Sequence, residues 1–157
     1  MYALDRLDSR AEHHVTLAAQ YYSQTQNKPD VIHLVRYLQD RVRIDPERNL
    51  NWLKPALHMA RIRLKDDQVV KEIADQLATY DFPSMSVVAY QLPAYIYGNS
   101  GDYVGAVTYM DRALQLLRGR VQINEILQME EFITAMKARI SGPFGKSEDL
   151  ESEINGG

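Results

Sequence analysis

The sequence contains no cysteine. That removes disulfides, thiolate zinc sites and cysteine nucleophiles together, and leaves the chain suited to either redox compartment. Long apolar runs are missing too: none approaches the ~20 residues needed to span a bilayer. The opening stretch MYALDRLDSRAEHH lacks the basic start and apolar core of a signal peptide. The expectation is therefore a cytoplasmic chain without membrane insertion. Nor is there a strong charge of one sign. The formal net charge is −3 over 157 residues, whereas a dedicated nucleic-acid binder is usually basic as a whole. What is present is ordinary for a soluble globular protein, with 45% hydrophobic and 25% charged residues. The length suits one domain with a sizeable core.

Charge distribution says more than net charge. From Ser141 to Gly157 there is one Lys against four acids, so this tail alone accounts for the −3 and the body is neutral. Within the body, Arg36 to Lys65 holds eight Arg/Lys against three Asp/Glu. Arg36, Arg41, Arg43, Arg61 and Arg63 could serve an acidic peptide, phosphate or RNA. The plainer reading is that Arg41 pairs with Asp45 and that long basic stems cover apolar surface.

Apolar spacing predicts helices throughout and no strand. The first runs over about 7–25 (Leu7, Ala11, Val15, Ala18, Ala19, Tyr22). The second covers about 29–44, started by Pro29 and stopped by Asp45-Pro46. A third spans about 50–65 and a fourth about 67–80, the latter capped by Asp66-Asp67. The fifth and sixth, about 84–98 and 102–118, fold back on each other around Gly101-Asp102-Tyr103. A seventh, about 121–140, carries Ile126, Met129, Ile133, Met136 and Ile140 on one stripe and polar residues on the other side. From Ser141 onward the composition predicts an acidic disordered tail. The fold class expected is all-α.

The helices repeat. Ala18, Ala56 and Ala94 are successively 38 residues apart. Four positions before each stands a large ring (His14, Trp52, Tyr90). Three positions after stands Tyr21, Met59 or Tyr97, and one before stands Leu17, Pro55 or Pro93. Val31, Val69 and Val107 keep the same spacing in the partner helices. A small residue that lets two helices approach, with large residues filling the gaps beside it, is the signature of stacked helical hairpins. Pro55 and Pro93 share a repeat position. They imply either a common bend or helices that begin late, with the proline in the first turn.

These residues resemble a tetratricopeptide repeat. From Val87 to Gly119, Tyr90 stands at the motif's large aromatic, Ala94 at its small residue and Tyr97 at its tyrosine. Gly101-Asp102-Tyr103 stands at its inter-helix turn, and Ala106 and Ala113 at the alanines of its second helix. The middle unit is a weaker match, through Asp45-Pro46 and Trp52, and its Asp66-Asp67 turn lacks glycine. The resemblance covers about residues 11–119. It implies a right-handed α-solenoid of three hairpins (about 7–44, 50–80 and 84–118) in a single domain, residues 1–140. The amphipathic helix 121–140 would act as its cap. It further implies a non-enzymatic adaptor that binds a protein or peptide in a groove lined by the first helices. Carried over by position, that groove contains Tyr22, Leu53, Leu57, Arg61, Gln91, Tyr95 and Asn99. Spacing alone also puts Gln91, Tyr95 and Asn99 on one helix face.

Other chemistry finds little support. Gly142-Pro-Phe-Gly145-Lys146-Ser147 resembles the end of a phosphate-binding loop, but Ile140 stands where the loop needs its first glycine. His13-His14 are adjacent and point about 100° apart on a helix, whereas helical metal ligands sit three or four apart. His33 and His58 are isolated. No serine lies in a G-x-S-x-G elbow, and Glu130-Glu131 read as a solvated face. No catalytic residue, metal site or cofactor is expected. The alternatives to an adaptor are a structural or oligomerisation module of a larger enzyme or secretion or assembly complex, including a homodimer, and an RNA-binding helical repeat.

Overall fold

A computed structural model describes residues 28–142 of the chain. Their regular structure is all helical, with no strand among the described residues. The expected helix 7–25 and the tail from 143 lie outside them. So do His13, His14, Leu17, Ala18, Tyr21, Tyr22 and most of the glycine-lysine-serine loop. The chain divides into two compact units at Gln76/Leu77.

In the first unit, α1 (Lys28–Ile44) forms because Val31, Leu34, Val35, Leu38 and Val42 fall at helical spacing and are all buried. Burying each such side chain is worth about 1.5–3 kcal/mol as an upper figure. Asp45 ends this helix and starts α2 (Pro46–Asn49), with its carboxylate accepting the Arg48 N–H at 3.3 Å and Pro46 in the first turn. The expected helix 50–65 is three segments. A 3-10 turn (Leu50–Trp52) leads into α3 (Leu53–Met59), which widens to a π turn (Ala60–Leu64). Its inner face, Leu53, Ala56, Leu57 and Ala60, is buried, and α3 and the π turn both pack on α1. Lys65 then adopts a left-handed conformation (φ 50°), and Asp66 caps α4 (Asp67–Leu77) by accepting from Gln68 and Val69 N–H.

A buried polar network ties α4 to α1. Gln39 Nε2 donates to Gln76 Oε1 at 3.0 Å, and Gln76 Nε2 donates to the Gln39 carbonyl at 2.9 Å. Arg36 donates to Gln39 Oε1 at 2.9 Å and meets Glu72 at 2.6 Å. Gln39 and Gln76 are 1% and 7% exposed, so these bonds satisfy groups that would otherwise be stranded from water.

The second unit is an antiparallel succession of three helices, α5 (Val87–Asn99), α6 (Tyr103–Leu117) and α7 (Ile123–Ser141), with α6 packed on both neighbours. Ser86 caps α5 through the Ala89 N–H. At the far end, Asp102 N–H bonds the Tyr97 carbonyl and Gly101 N–H that of Gly98. Gly101, at φ 81°, thereby closes a Schellman turn. Asp102 also caps α6, accepting the Gly105 N–H at 2.9 Å. Gly105 permits the tight crossing: a Cβ there would lie 2.4 Å from the Tyr97 ring, which is packed edge-on against Tyr109 with centroids 5.1 Å apart.

Three expectations need correction. Pro55 and Pro93 do not hold equivalent helix positions, because Pro55 is the third residue of α3 and Pro93 the seventh of α5. Only Pro93 removes an interior ladder bond. Ile140, placed on the buried stripe of α7, is 43% exposed, while Ile126, Met129 and Met136 are buried. The 38-residue register fails in the second helices, where the capping aspartates Asp66 and Asp102 are 36 apart. Counted from the caps, buried Val70 and Ala74 match buried Ala106 and Met110. Ala56 stands ten residues before its cap and Ala94 eight before its own. The π turn, which carries more residues per turn than an α-helix, takes up part of that excess.

Candidate functional site

The residues assigned to a groove do not share one fate. Leu53 and Leu57 are 5% and 8% exposed and belong to the core on the inner face of α3. Gln91, at 9%, is also buried. None of the three is presented to a partner in this structure. Arg61, Tyr95 and Asn99 are exposed, and Tyr22 lies outside the described residues.

Of the three residues that spacing puts on one face of α5, Gln91 is buried while Tyr95 and Asn99 are exposed. The sequence did not reveal what stands beside Tyr95. Phe132 of α7 meets its ring edge-on, with centroids 5.1 Å apart. Phe132 and Met136 also reach Gly98, each 3.5 Å from where a Cβ would stand. An aromatic pair of this geometry adds about 0.5–1.5 kcal/mol beyond its buried area, so Tyr95 has a packing role as well as an exposed edge. The available signal was Phe132 itself, an aromatic close to the polar side of α7.

A second constellation lies before α5. Tyr90, 2% exposed, points its hydroxyl at Asp81 Oδ1, 2.6 Å away, with the Phe82 carbonyl oxygen at 3.2 Å. Its single proton goes to the carboxylate, the stronger acceptor. Arg120 approaches the same carboxylate oxygen at 3.5 Å, and Arg112 donates to the Tyr80 carbonyl at 3.3 Å. The Tyr90 hydrogen bond lowers the Asp81 pKa, with Arg120 and Arg112 acting in the same direction. Burial raises the Tyr90 pKa, and its bond to Asp81 adds to this. The aromatic position identified as a packing ring is thus also an anchor that fixes the segment leading into α5.

The basic residues separate by element. Arg36 bonds Gln39 and Glu72, and Arg43 bonds Asp40 at 2.7 Å, so these cations of α1 are engaged within the fold. Lys54, His58, Arg61 and Lys65 on α3 and its π turn are all exposed, and none forms an ion pair among the described residues. Glu130 lies 3.5 Å from Arg118, a solvated pair. No group of three metal-ligating side chains occurs among the described residues, and no described helix is long and apolar enough to cross a membrane. No family model, curated protein or solved structure matches the chain.

Proposed function

We propose that the chain is a non-enzymatic interaction scaffold, a right-handed solenoid of tetratricopeptide-like hairpins capped by α7. It binds a peptide or helix of a partner protein. The observation that carries this reading is the exposed face of α5 at Tyr95 (39% exposed) and Asn99, held in place by Phe132. A ring braced on one side and open on the other offers contact area with little ordering entropy left to lose, and the Asn99 amide beside it can pair with a peptide backbone. The function follows from analogy with helical repeats, and the contact of Tyr95 with Phe132 supports it. To test it, a photo-reactive side chain is placed at Asn99 and, as control, at exposed Asp111 on α6. Capture of one defined partner from Asn99 alone fits the proposal. Equal capture from both positions removes the assigned face.

A second reading, an oligomerisation module, has its own support. Ile123 and Leu127, one turn apart on α7, are 68% and 47% exposed, an apolar pair at the start of the last described helix. Light scattering across a wide concentration range decides it: Leu127→Glu is expected to abolish any dimer, and a strict monomer at high concentration discards this reading.

A further inference from the structure

Between Glu47 and Asp66 the sequence contains no acidic residue. This is the stretch that forms α3 and its π turn. Its outer side carries Lys54 and His58, one α-helical turn apart, then Arg61 on the π turn and Lys65 just past its end. All four are exposed, and among the described residues none has an ion-pair partner. The arginines of α1 differ, because Arg36 and Arg43 are matched by Glu72 and Asp40. The same basic region therefore has a self-neutralised part and an uncompensated part.

Two further observations mark the uncompensated part as a binding surface. One is Ile62, 54% exposed, which stands beside Arg61 on the π turn. A branched aliphatic residue cannot stack on a nucleobase, but it can meet an apolar side chain. The other is backbone geometry. The stretch ends on a π turn, a rare form that is frequent at functional sites, and on Lys65 at φ 50°. Glycine would relieve that conformation, and a lysine occupies it instead.

We propose that these residues dock an acidic segment of a partner protein, one that presents about three carboxylates, for Lys54, Arg61 and Lys65, together with an apolar residue. Cations pair with the carboxylates, and Ile62 accepts the apolar side chain. The assignment uses residues of the first unit alone and does not require that Tyr95 or Asn99 bind anything.

The test is fluorescence anisotropy of the full chain with three labelled probes: a peptide of alternating glutamate and leucine, its lysine counterpart, and single-stranded poly-uridine. Binding of the acidic peptide is expected to weaken several-fold between about 50 and 200 mM salt. The triple charge reversal Lys54→Glu/Arg61→Glu/Lys65→Glu is expected to reduce it at least about tenfold, with the helical circular dichroism unchanged. Ile62→Asn is expected to weaken the peptide about threefold without altering the salt dependence. Unchanged binding in the triple variant overturns the proposal, as does tighter binding to poly-uridine that is indifferent to Ile62→Asn. Tighter peptide binding after removal of residues 143–157 also overturns it, by making the chain's own acidic tail the occupant.

Discussion

Lys65 and Gly101 hold the same place at the ends of two helices. Each is left-handed (φ 50° and 81°), and each precedes an aspartate whose carboxylate caps the next helix. Around them the two junctions diverge. Before Lys65 the helix widens into a π turn and carries a row of cations with no ion-pair partner among the described residues. Before Gly101 it stays α-helical to Asn99 and has no charged residue along its length. After the caps, the third helical position is buried Val69 in one and Gly105 in the other. The aspartate is what both junctions require, because it satisfies backbone donors that no helix can satisfy internally. The residues around it are free to differ, and they set how close the helices come and what the outer face offers.

Substitutions that exchange features between the junctions test this comparison. The largest effect is expected from Gly105→Val, which brings in the first junction's residue. A Cβ 2.4 Å from the Tyr97 ring must displace it from Tyr109, at a cost of about 1–3 kcal/mol in urea unfolding. Gln76→Ala examines the buried amide tie of the first unit. It strands the amide of Gln39 and is expected to cost about 1–3 kcal/mol, read by the fluorescence of Trp52, the single tryptophan. If the cost is negligible, the Gln39–Gln76 network does not hold α4.

Smaller and opposite in sign are the exchanges at the left-handed positions. Gly101→Ala is expected to lose about 1 kcal/mol, and Lys65→Gly to gain up to about 1 kcal/mol. Equal signs for the two would show that the junctions are not equivalent.

The smallest effect is a pH dependence confined to the second unit. Asp81 has a depressed pKa. Its contribution is complete above the ordinary carboxylate value of about 4 and fades as pH falls through the lower folded value. Tyr90 has a raised pKa. Its contribution is complete below about 10 and fades as pH rises through the folded value. Tyr90→Phe is expected to flatten the stability profile at both ends, and a profile identical to wild type would show that the Asp81–Tyr90 bond contributes nothing.

Much of the local structure was legible in the sequence because it rests on short-range physics. Asp45-Pro46, Asp66 and Gly101-Asp102 mark helix ends through caps and left-handed turns, and each does so in the structure. The buried stripe of α1, Val31 to Val42, follows from helical period alone. The candidate groove was less legible. Helical spacing groups Gln91, Tyr95 and Asn99 and the resemblance adds Leu53 and Leu57, but neither says which faces are covered, and Leu53, Leu57 and Gln91 are buried.

By itself, then, the sequence determined that the described chain is all-helical and where most of its helices start and stop, because capping and periodicity act over a few residues. It also determined that cations gather between Arg36 and Lys65. Only the tertiary structure decided that Pro55 opens a helix while Pro93 sits inside one, and that a π turn separates the registers of paired helices. A tertiary contact likewise paired Arg36 of α1 with Glu72, while Lys54, His58, Arg61 and Lys65 have no ion-pair partner among the described residues. The physical reason is common to all of these. Burial and ion pairing depend on what lies opposite a side chain, and in the Gln39–Gln76 and Arg36–Glu72 contacts the opposite residue is more than thirty positions away.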